Sequence, residues 1–219
     1  HLSAAKWVKQ RGKLRICLDL TDLNKVLLQR HYPLKTLEEI VTQVRGSTVF
    51  TLLDLKNWQL EVSEKTKKYL AFSTPWGRYT FLRVPFGIAT APEVFQQVIS
   101  QVLQGLTNVS NSMDDILIYA KTKEELQQHT NKVVQKLRDV GAKLNYDKCV
   151  FNQPSVKFLG HVLTAEGLKV DEDKIESIER IGDPKNKTEL QRLLGMLQYL
   201  QKFVPNLAEM TGPLRKLLK

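Results

Sequence analysis

Asp114 and Asp115 are adjacent, in Ser112-Met-Asp-Asp-Ile-Leu-Ile-Tyr119, and Asp54 lies sixty residues before Asp114 at the end of the apolar run Val49–Leu55. Ile116–Tyr119 is strand-like, so the pair sits at the tip of a strand or just before it. Carboxylates brought from separate strand ends to one sheet edge suit Mg²⁺, which takes hard oxygen ligands and keeps several waters. Two such ions, about 3.5–4 Å apart, stabilise both the attacking and the leaving oxygen of a nucleotidyl transfer. The plain alternative is a polar turn between strands, because Asp favours turns. Spacing alone leaves both readings open.

The elements that must position these residues alternate between strand-like and helical runs. Leu14–Leu20 reads as a strand. Thr36-Leu-Glu-Glu39 is a capping box, followed by Leu37, Ile40, Val41 and Val44 at helical spacing and by Gly46 as the stop. Leu70–Phe72 and Tyr79–Val84 read as strands. Thr90-Ala-Pro-Glu93 reads as a second capping box, with Val94, Phe95, Val98, Ile99, Val102 and Leu103 on one helical face. Asn111–Ala120 is expected to be a hairpin and Thr122–Val140 a helix stopped by Gly141. Val156–Leu163 reads as a strand paired with Leu168–Val170 across Thr164-Ala-Glu-Gly167. From Asp171 the pattern turns helical: Asp171–Ile181, then Thr188–Phe203 with a leucine stripe and Pro205 beyond it. A boundary is therefore expected near Asp171.

Length and composition are those of a globular chain. Its 219 residues are 42% hydrophobic, enough for a sizeable core. No window of about 18 apolar residues exists, so no transmembrane helix and no membrane partner are expected. The start, His1-Leu2-Ser3, carries neither an initiator Met nor a signal-peptide pattern, which suggests a piece of something longer. Cys17 and Cys149 have no metal-ligand spacing and read as free thiols in a reducing compartment. A net charge of +10 suits a polyanionic partner, nucleic acid being the commonest.

Several blocks together resemble a known family. Ser112-Met-Asp-Asp115 is similar to the catalytic box of reverse transcriptases from retroviruses and Ty3/gypsy-type LTR retroelements, and Leu53-Asp-Leu55 to their first metal-binding motif. Leu18-Asp-Leu-Thr-Asp-Leu-Asn-Lys25, His31-Tyr-Pro-Leu34, Thr74-Pro-Trp-Gly77, Phe81-Leu-Arg-Val-Pro-Phe-Gly87 and Ala91-Pro-Glu-Val-Phe-Gln96 resemble successive blocks of the same family. So do Lys143-Leu-Asn145, Lys148-Cys149, Phe158-Leu-Gly-His161, and Leu193-Leu-Gly195 through Phe203-Val-Pro-Asn206. The blocks are collinear and span nearly the whole chain.

The resemblance implies an α+β right-hand polymerase core, with an antiparallel palm sheet flanked by helices. Residues 1–170 would be fingers and palm, and residues 171–219 a helical thumb. It implies an RNA-directed DNA polymerase that uses two Mg²⁺ ions, with Mn²⁺ as a substitute. Asp54, Asp114 and Asp115 would be the metal carboxylates. Lys148 would help neutralise or protonate the pyrophosphate, the bland alternative being a surface lysine. Arg15 and Lys9 would clamp the incoming triphosphate, a task suited to bidentate donors, or form a solvated basic hairpin. Phe86 and Gly87 would line the nucleotide pocket. Phe158, Leu159, Gly160 and His161 would form the primer grip, with His161 either on a phosphate or half-buried in a strand. Gln191, Gln198 and Lys202 would face the duplex from the helix Thr188–Phe203. Implied partners are a dNTP and an RNA or DNA template with its primer, read by backbone and shape. A second copy as a homodimer and the protease, RNase H and integrase of a parent pol polyprotein are further implied partners. The implied setting is intracellular, a cytoplasmic particle or the nucleus, with no targeting signal visible.

This chain departs from the family pattern in three places. Asp54-Leu-Lys-Asn-Trp-Gln59 is two residues short and lacks the aromatic expected beneath the sugar, a role not carried over to Trp58. The strand before the catalytic pair, Asn108-Val-Ser-Asn-Ser112, is polar and about two residues short, which predicts a weakened hairpin. The N-terminal end of the fingers is missing. Two readings therefore stand beside the polymerase: a catalytically decayed, nucleic-acid-binding remnant, and a scaffolding subunit of the same fold.

Overall fold

The computed structural model describes residues 5–10, 13–28, 32–56 and 60–218, with main chain alone for residues 5–10 and 13–16. Strands β1 (Ala5–Gln10) and β2 (Lys13–Leu18) form an antiparallel hairpin. Helix α1 (Thr21–Val26) and helix α2 (Leu37–Val44) follow. The capping box of α2 is complete: Glu39 N donates to Thr36 Oγ1 at 3.3 Å, and Thr36 N donates to Glu39 Oε2 at 2.7 Å. Strand β3 (Val49–Asp54) comes next, then the short helix α3 (Glu64–Lys67) and the hairpin β4 (Ala71–Thr74) and β5 (Gly77–Thr80). These last two strands are offset from the runs expected at Leu70–Phe72 and Tyr79–Val84, because the tight turn at Pro75–Trp76 sets the register.

Helix α4 (Ala91–Val102) has Pro in its first turn, but the capping box expected at Thr90 is absent. Thr90 is already helical, at φ −89° and ψ −6°, and its side chain accepts no cap hydrogen bond. Strands β6 (Val109–Ser112) and β7 (Asp115–Ala120) form the expected hairpin. Helix α5 (Lys123–Asp139) is capped by Thr122. Then come β8 (Val150–Gln153), β9 (Ser155–Phe158), β10 (His161–Thr164) and β11 (Gly167–Lys169). The run Val156–Leu163 is thus two strands around a turn, not one. The chain closes with α6 (Glu172–Glu179), α7 (Lys187–Tyr199) with a 3₁₀ turn at Leu200–Lys202, α8 (Leu207–Met210) and α9 (Gly212–Lys216).

The central sheet has the order β6-β7-β3-β8, with β3 and β7 antiparallel. Side chains of a strand alternate between faces, and here both faces are covered. Ile116, Ile118 and Ala120 of β7 join Leu53 of β3 in packing on α4 and α5, through Ile99, Leu103, Leu126 and Leu137. Leu117, Tyr119 and Phe50 face the other way, onto Ile40 and Val44 of α2 and Val156, Phe158 and Leu163 of the β9–β10 hairpin. Ile116, Leu117 and Ile118 are fully buried, each stabilising by about 1.5–3 kcal/mol relative to exposure. A smaller cluster of Leu18, Leu20, Val62, Leu70 and Phe72 anchors the N-terminal part. Among the described residues no helix is long and apolar enough to cross a membrane, and Cys17 and Cys149 are free.

Candidate active site

The sheet brings the acidic residues together. Asp54 and Asp115 are direct partners at the end of the β3–β7 ladder, in register with Leu52–Leu117 and Phe50–Tyr119. Period-two alternation therefore puts both carboxylates on the face that continues the Phe50 and Leu52 row. Asp114 occupies the turn between β6 and β7, and its carbonyl accepts from Leu55 N at 2.9 Å. Asp114 and Asp115 are both held above the ordinary carboxylate range. Desolvation is the main cause, the negative charge of Asp54 adds to it, and Lys148 opposes it. Such mutual repulsion is what a divalent cation relieves, so the carboxylates fit one electrostatically. Among the described residues no three His, Cys, Asp or Glu side chains converge as a ready-made metal site.

The turn that carries Asp114 is under strain and is held from behind. Met113 has φ +51°, a conformation costly for a long side chain. Its N–H donates to Gln96 Oε1 at 2.7 Å, and Gln96 Nε2 donates to the Asn111 carbonyl at 3.1 Å. Gln96 is 2% exposed. It reads in the sequence as one polar residue inside an apolar helical face, and that mismatch was the signal for its role. The polar strand is partnered in part, for among the described residues the buried Asn111 Nδ2 has no hydrogen-bond partner. Ser110 Oγ donates to Gln43 Oε1 at 2.9 Å and Ser100 Oγ donates to Asn111 Oδ1 at 3.3 Å. β6 pairs with β7 along its whole length, so polarity has not opened the hairpin.

A cleft of about 650 Å³ lies in front of the carboxylates, and Asp54, Asp114, Phe86, Gly87 and Lys148 all line it. Lys148 Nζ is 3.6 Å from Asp54 Oδ2, so the lysine faces the cleft. Phe86 is 68% exposed, more than core packing would allow. Gly87 has φ +101°, the left-handed region that glycine enters without strain. Asn24 of α1 braces this loop at two points: its Nδ2 donates to the Gly87 carbonyl at 2.8 Å, and its Oδ1 accepts from Ala89 N at 2.9 Å. Sequence reasoning gave Asn24 no role, since nothing local links it to a loop more than sixty residues on. Behind Asp54, the Cys149 thiol accepts from Asp54 N at 3.4 Å, and Asn145 N donates to the Asp54 carbonyl at 2.9 Å.

Phe158, Leu159, Gly160 and His161 lie apart from the cleft lining, on the β9–β10 hairpin. Leu159 and Gly160 form its two-residue turn, at φ +50° and +77°, the both-positive pattern of a type I′ turn. Phe158 is 1% and His161 8% exposed, so His161 is a buried strand residue in this structure, not one open to a phosphate. Its ring stacks on Tyr199, with centroids 4.7 Å apart and planes at 14°. Arg15 pairs with Val8 and Lys9 with Leu14 in the β1–β2 hairpin, while their side chains lie outside the described residues. His31 and the shortened segment Asn57–Gln59 also lie outside them.

Comparison with known proteins gives a consistent result. A family model described as "Reverse transcriptase (RNA-dependent DNA polymerase)" matches residues 7–163. The Transposon Tf2-3 polyprotein of Schizosaccharomyces pombe is 38% identical over 215 residues, 96% of this chain and 16% of that polyprotein. The Transposon Tf2-7 polyprotein of the same organism is 37% identical over the same length. The chain thus spans 16% of the length of these curated relatives. Among solved structures, the foamy viral protease-reverse transcriptase in complex with dsDNA superposes with a TM-score of 0.89 at 25% identity, covering 99% of this chain and 46% of that one. The foamy viral protease-reverse transcriptase dRH in complex with ds DNA gives a TM-score of 0.90, also at 25% identity, covering 99% of this chain and 39% of that one.

Proposed function

Because the chain belongs to the reverse transcriptase (RNA-dependent DNA polymerase) family, we propose that it is the polymerase core of a longer pol polyprotein and extends a primer on an RNA or DNA template. The right-hand fold carries this reading, with residues 1–170 as fingers and palm and residues 171–219 as thumb. The observation that supports it most is the in-register pairing of Asp54 with Asp115, next to Asp114, with Asp54 and Asp114 lining the cleft.

In the reaction, the primer 3′-hydroxyl oxygen bonds to the α-phosphorus of a dNTP. The bond to the bridging oxygen breaks and pyrophosphate leaves. Asp54, Asp114 and Asp115 would hold Mg²⁺, or Mn²⁺ in its place, which supplies positive charge at the attacking and leaving oxygens. Lys148, 3.6 Å from Asp54 Oδ2, would neutralise or protonate the leaving group. Phe86 and the Gly87 main chain, braced by Asn24, would bound the nucleotide pocket. Lys9 and Arg15 would take the triphosphate from the fingers hairpin. The β9–β10 turn would seat the primer end through its main chain and Leu159, with His161 acting behind it.

Primer extension on an RNA template with Mg²⁺ and dNTPs tests this, beside an Asp114→Asn/Asp115→Asn variant. Extension that the variant loses by about a thousandfold or more is the expected result, since it removes the carboxylates that would hold the cation whose charge offsets the transition state. Duplex binding without extension in the unaltered chain would overturn the polymerase reading and leave a nucleic-acid-binding remnant.

A further inference from the structure

The β9–β10 turn is held from outside by the C-terminal helices. The Tyr199 hydroxyl, at the end of α7, donates to the Gly160 carbonyl. The Tyr199 ring stacks on His161, and Phe203 packs beside both rings, its centroid 5.7 Å from that of His161 and 6.5 Å from that of Tyr199. One turn further, Lys202 pairs with Glu38 of α2, so the same short stretch also reaches the element beneath the palm sheet. His161 is 8% exposed and its Nδ1 has no partner among the described residues, so stacking and shape hold the ring on that side. The hairpin itself offers little alternative support: Leu159 at the tip is 40% exposed and left-handed.

We infer that Tyr199 is a positioning residue for the primer 3′ end, fixing the Leu159–Gly160 turn through the Gly160 carbonyl and carrying the orientation of the C-terminal helices to that turn. The inference rests on the reading of residues 158–161 as the primer grip. It adds a residue beyond the stretch that the family model matches. A bond to the carbonyl sets the plane of the Gly160 peptide, and that plane decides where the neighbouring N–H groups and the Leu159 side chain point. Because the donor sits on α7, any tilt of that helix changes the turn, which a contact within the hairpin could not do.

The test is the Tyr199→Phe variant of the full chain, which keeps the stacked ring and deletes only the hydroxyl. Steady-state extension is measured against primer-template and against dNTP separately. Fluorescence anisotropy compares a recessed 3′ end with a blunt duplex, a readout that needs no catalysis. The expected result is a rise of roughly threefold to tenfold in KM for primer-template, the range a single lost hydrogen bond supports, with KM for dNTP unchanged. The preference for the recessed end should fall by the same factor. A merely structural tyrosine would lower the melting temperature and leave that preference and both KM values alone, which would overturn the inference. Equal increases in both KM values would also overturn it. Should the unaltered chain bind recessed and blunt ends alike, the primer-grip reading itself fails and the inference with it. An unaltered chain that prefers the recessed end but does not extend it would count against the polymerase reading only, and the anisotropy comparison with Tyr199→Phe would still decide the inference.

Discussion

Two turns of this molecule solve one problem in different ways. The β6–β7 turn carries Asp114 and has left-handed Met113; the β9–β10 turn carries Gly160 and has left-handed Leu159. Each places a long side chain where it costs roughly 1–2 kcal/mol of strain, and each is held by one side chain from a helix. The first is held at an N–H by buried Gln96, seventeen residues earlier and part of the helix packed on the same sheet. The second is held at a C=O by half-buried Tyr199, thirty-nine residues later, on a helix whose following residues add Phe203 beside His161 and the exposed Lys202–Glu38 ion pair. The contrast teaches where precision is built in. The turn proposed to hold the cation is braced by a fully buried side chain, whereas the turn proposed to seat the primer is braced by a half-buried one from the C-terminal helices.

Breaking the first brace should have the largest effect. Gln96→Leu leaves the Met113 N–H and Asn111 carbonyl without their partner, and extension should fall by about a hundredfold, the cost of a displacement near 1 Å. Stability should fall by about 1–3 kcal/mol in chemical denaturation. A changed primer-template KM with unchanged kcat would contradict the contrast between the turns.

On the second turn, Gly160→Ala meets no atom within 4 Å, so only the φ of +77° is at issue. It should cost about 1–2 kcal/mol in denaturant and weaken recessed-end binding, leaving kcat at saturating primer close to that of the unaltered chain.

Relieving charge repulsion should separate stability from activity at the first turn. Because Asp114 and Asp115 titrate above the usual carboxylate range, their ionised forms destabilise the fold at neutral pH, and this cost disappears as pH falls through the raised values. Asp114→Asn/Asp115→Asn should therefore melt higher than the unaltered chain at neutral pH in metal-free buffer. Added Mg²⁺ should raise the melting temperature of the unaltered chain only. A variant that melts lower, or one still stabilised by Mg²⁺, would place the cation elsewhere.

The smallest effect belongs to the second brace. Burial holds the pKa of His161 below its ordinary value, the Lys202 charge adds to this and Glu38 opposes it. The unfolded chain takes up a proton near the ordinary value of about 6.5, while the folded chain resists. Stability is therefore full above that value and declines as pH falls through it toward the lowered one. His161→Gln should flatten that part of the stability–pH curve, read by melting temperature between about pH 8 and pH 5.

Much of this was legible in the chain. The box at Thr36, the apolar runs of β3 and β7 and the stripes of α4 and α5 are local patterns, and period and capping residues are enough to read them. The carboxylates were legible because strand ends and an acidic pair stand out against apolar neighbours. The second capping box misled, because Thr90 had already entered the helix, something no list of residue types reveals. The run Val156–Leu163 looked like one strand because Leu159-Gly160 is apolar at the break; only pairing partners on both sides make it a turn. The polar strand β6 predicted weakness; Gln43, Gln96 and Ser100 supply polar partners from two helices, while Asn111 Nδ2 has none among the described residues.

Sequence by itself determined the family, the order of elements and the residue types at the site, since each is written in short-range spacing. Tertiary structure alone decided that Asp54 faces Asp115, that Asn24 and Gln96 brace the two sides of the cleft, and that Tyr199 reaches Gly160. The physical reason is common to all of them. Each is a contact between atoms far apart along the chain, fixed by strand register and helix packing, and neither is encoded in any one segment.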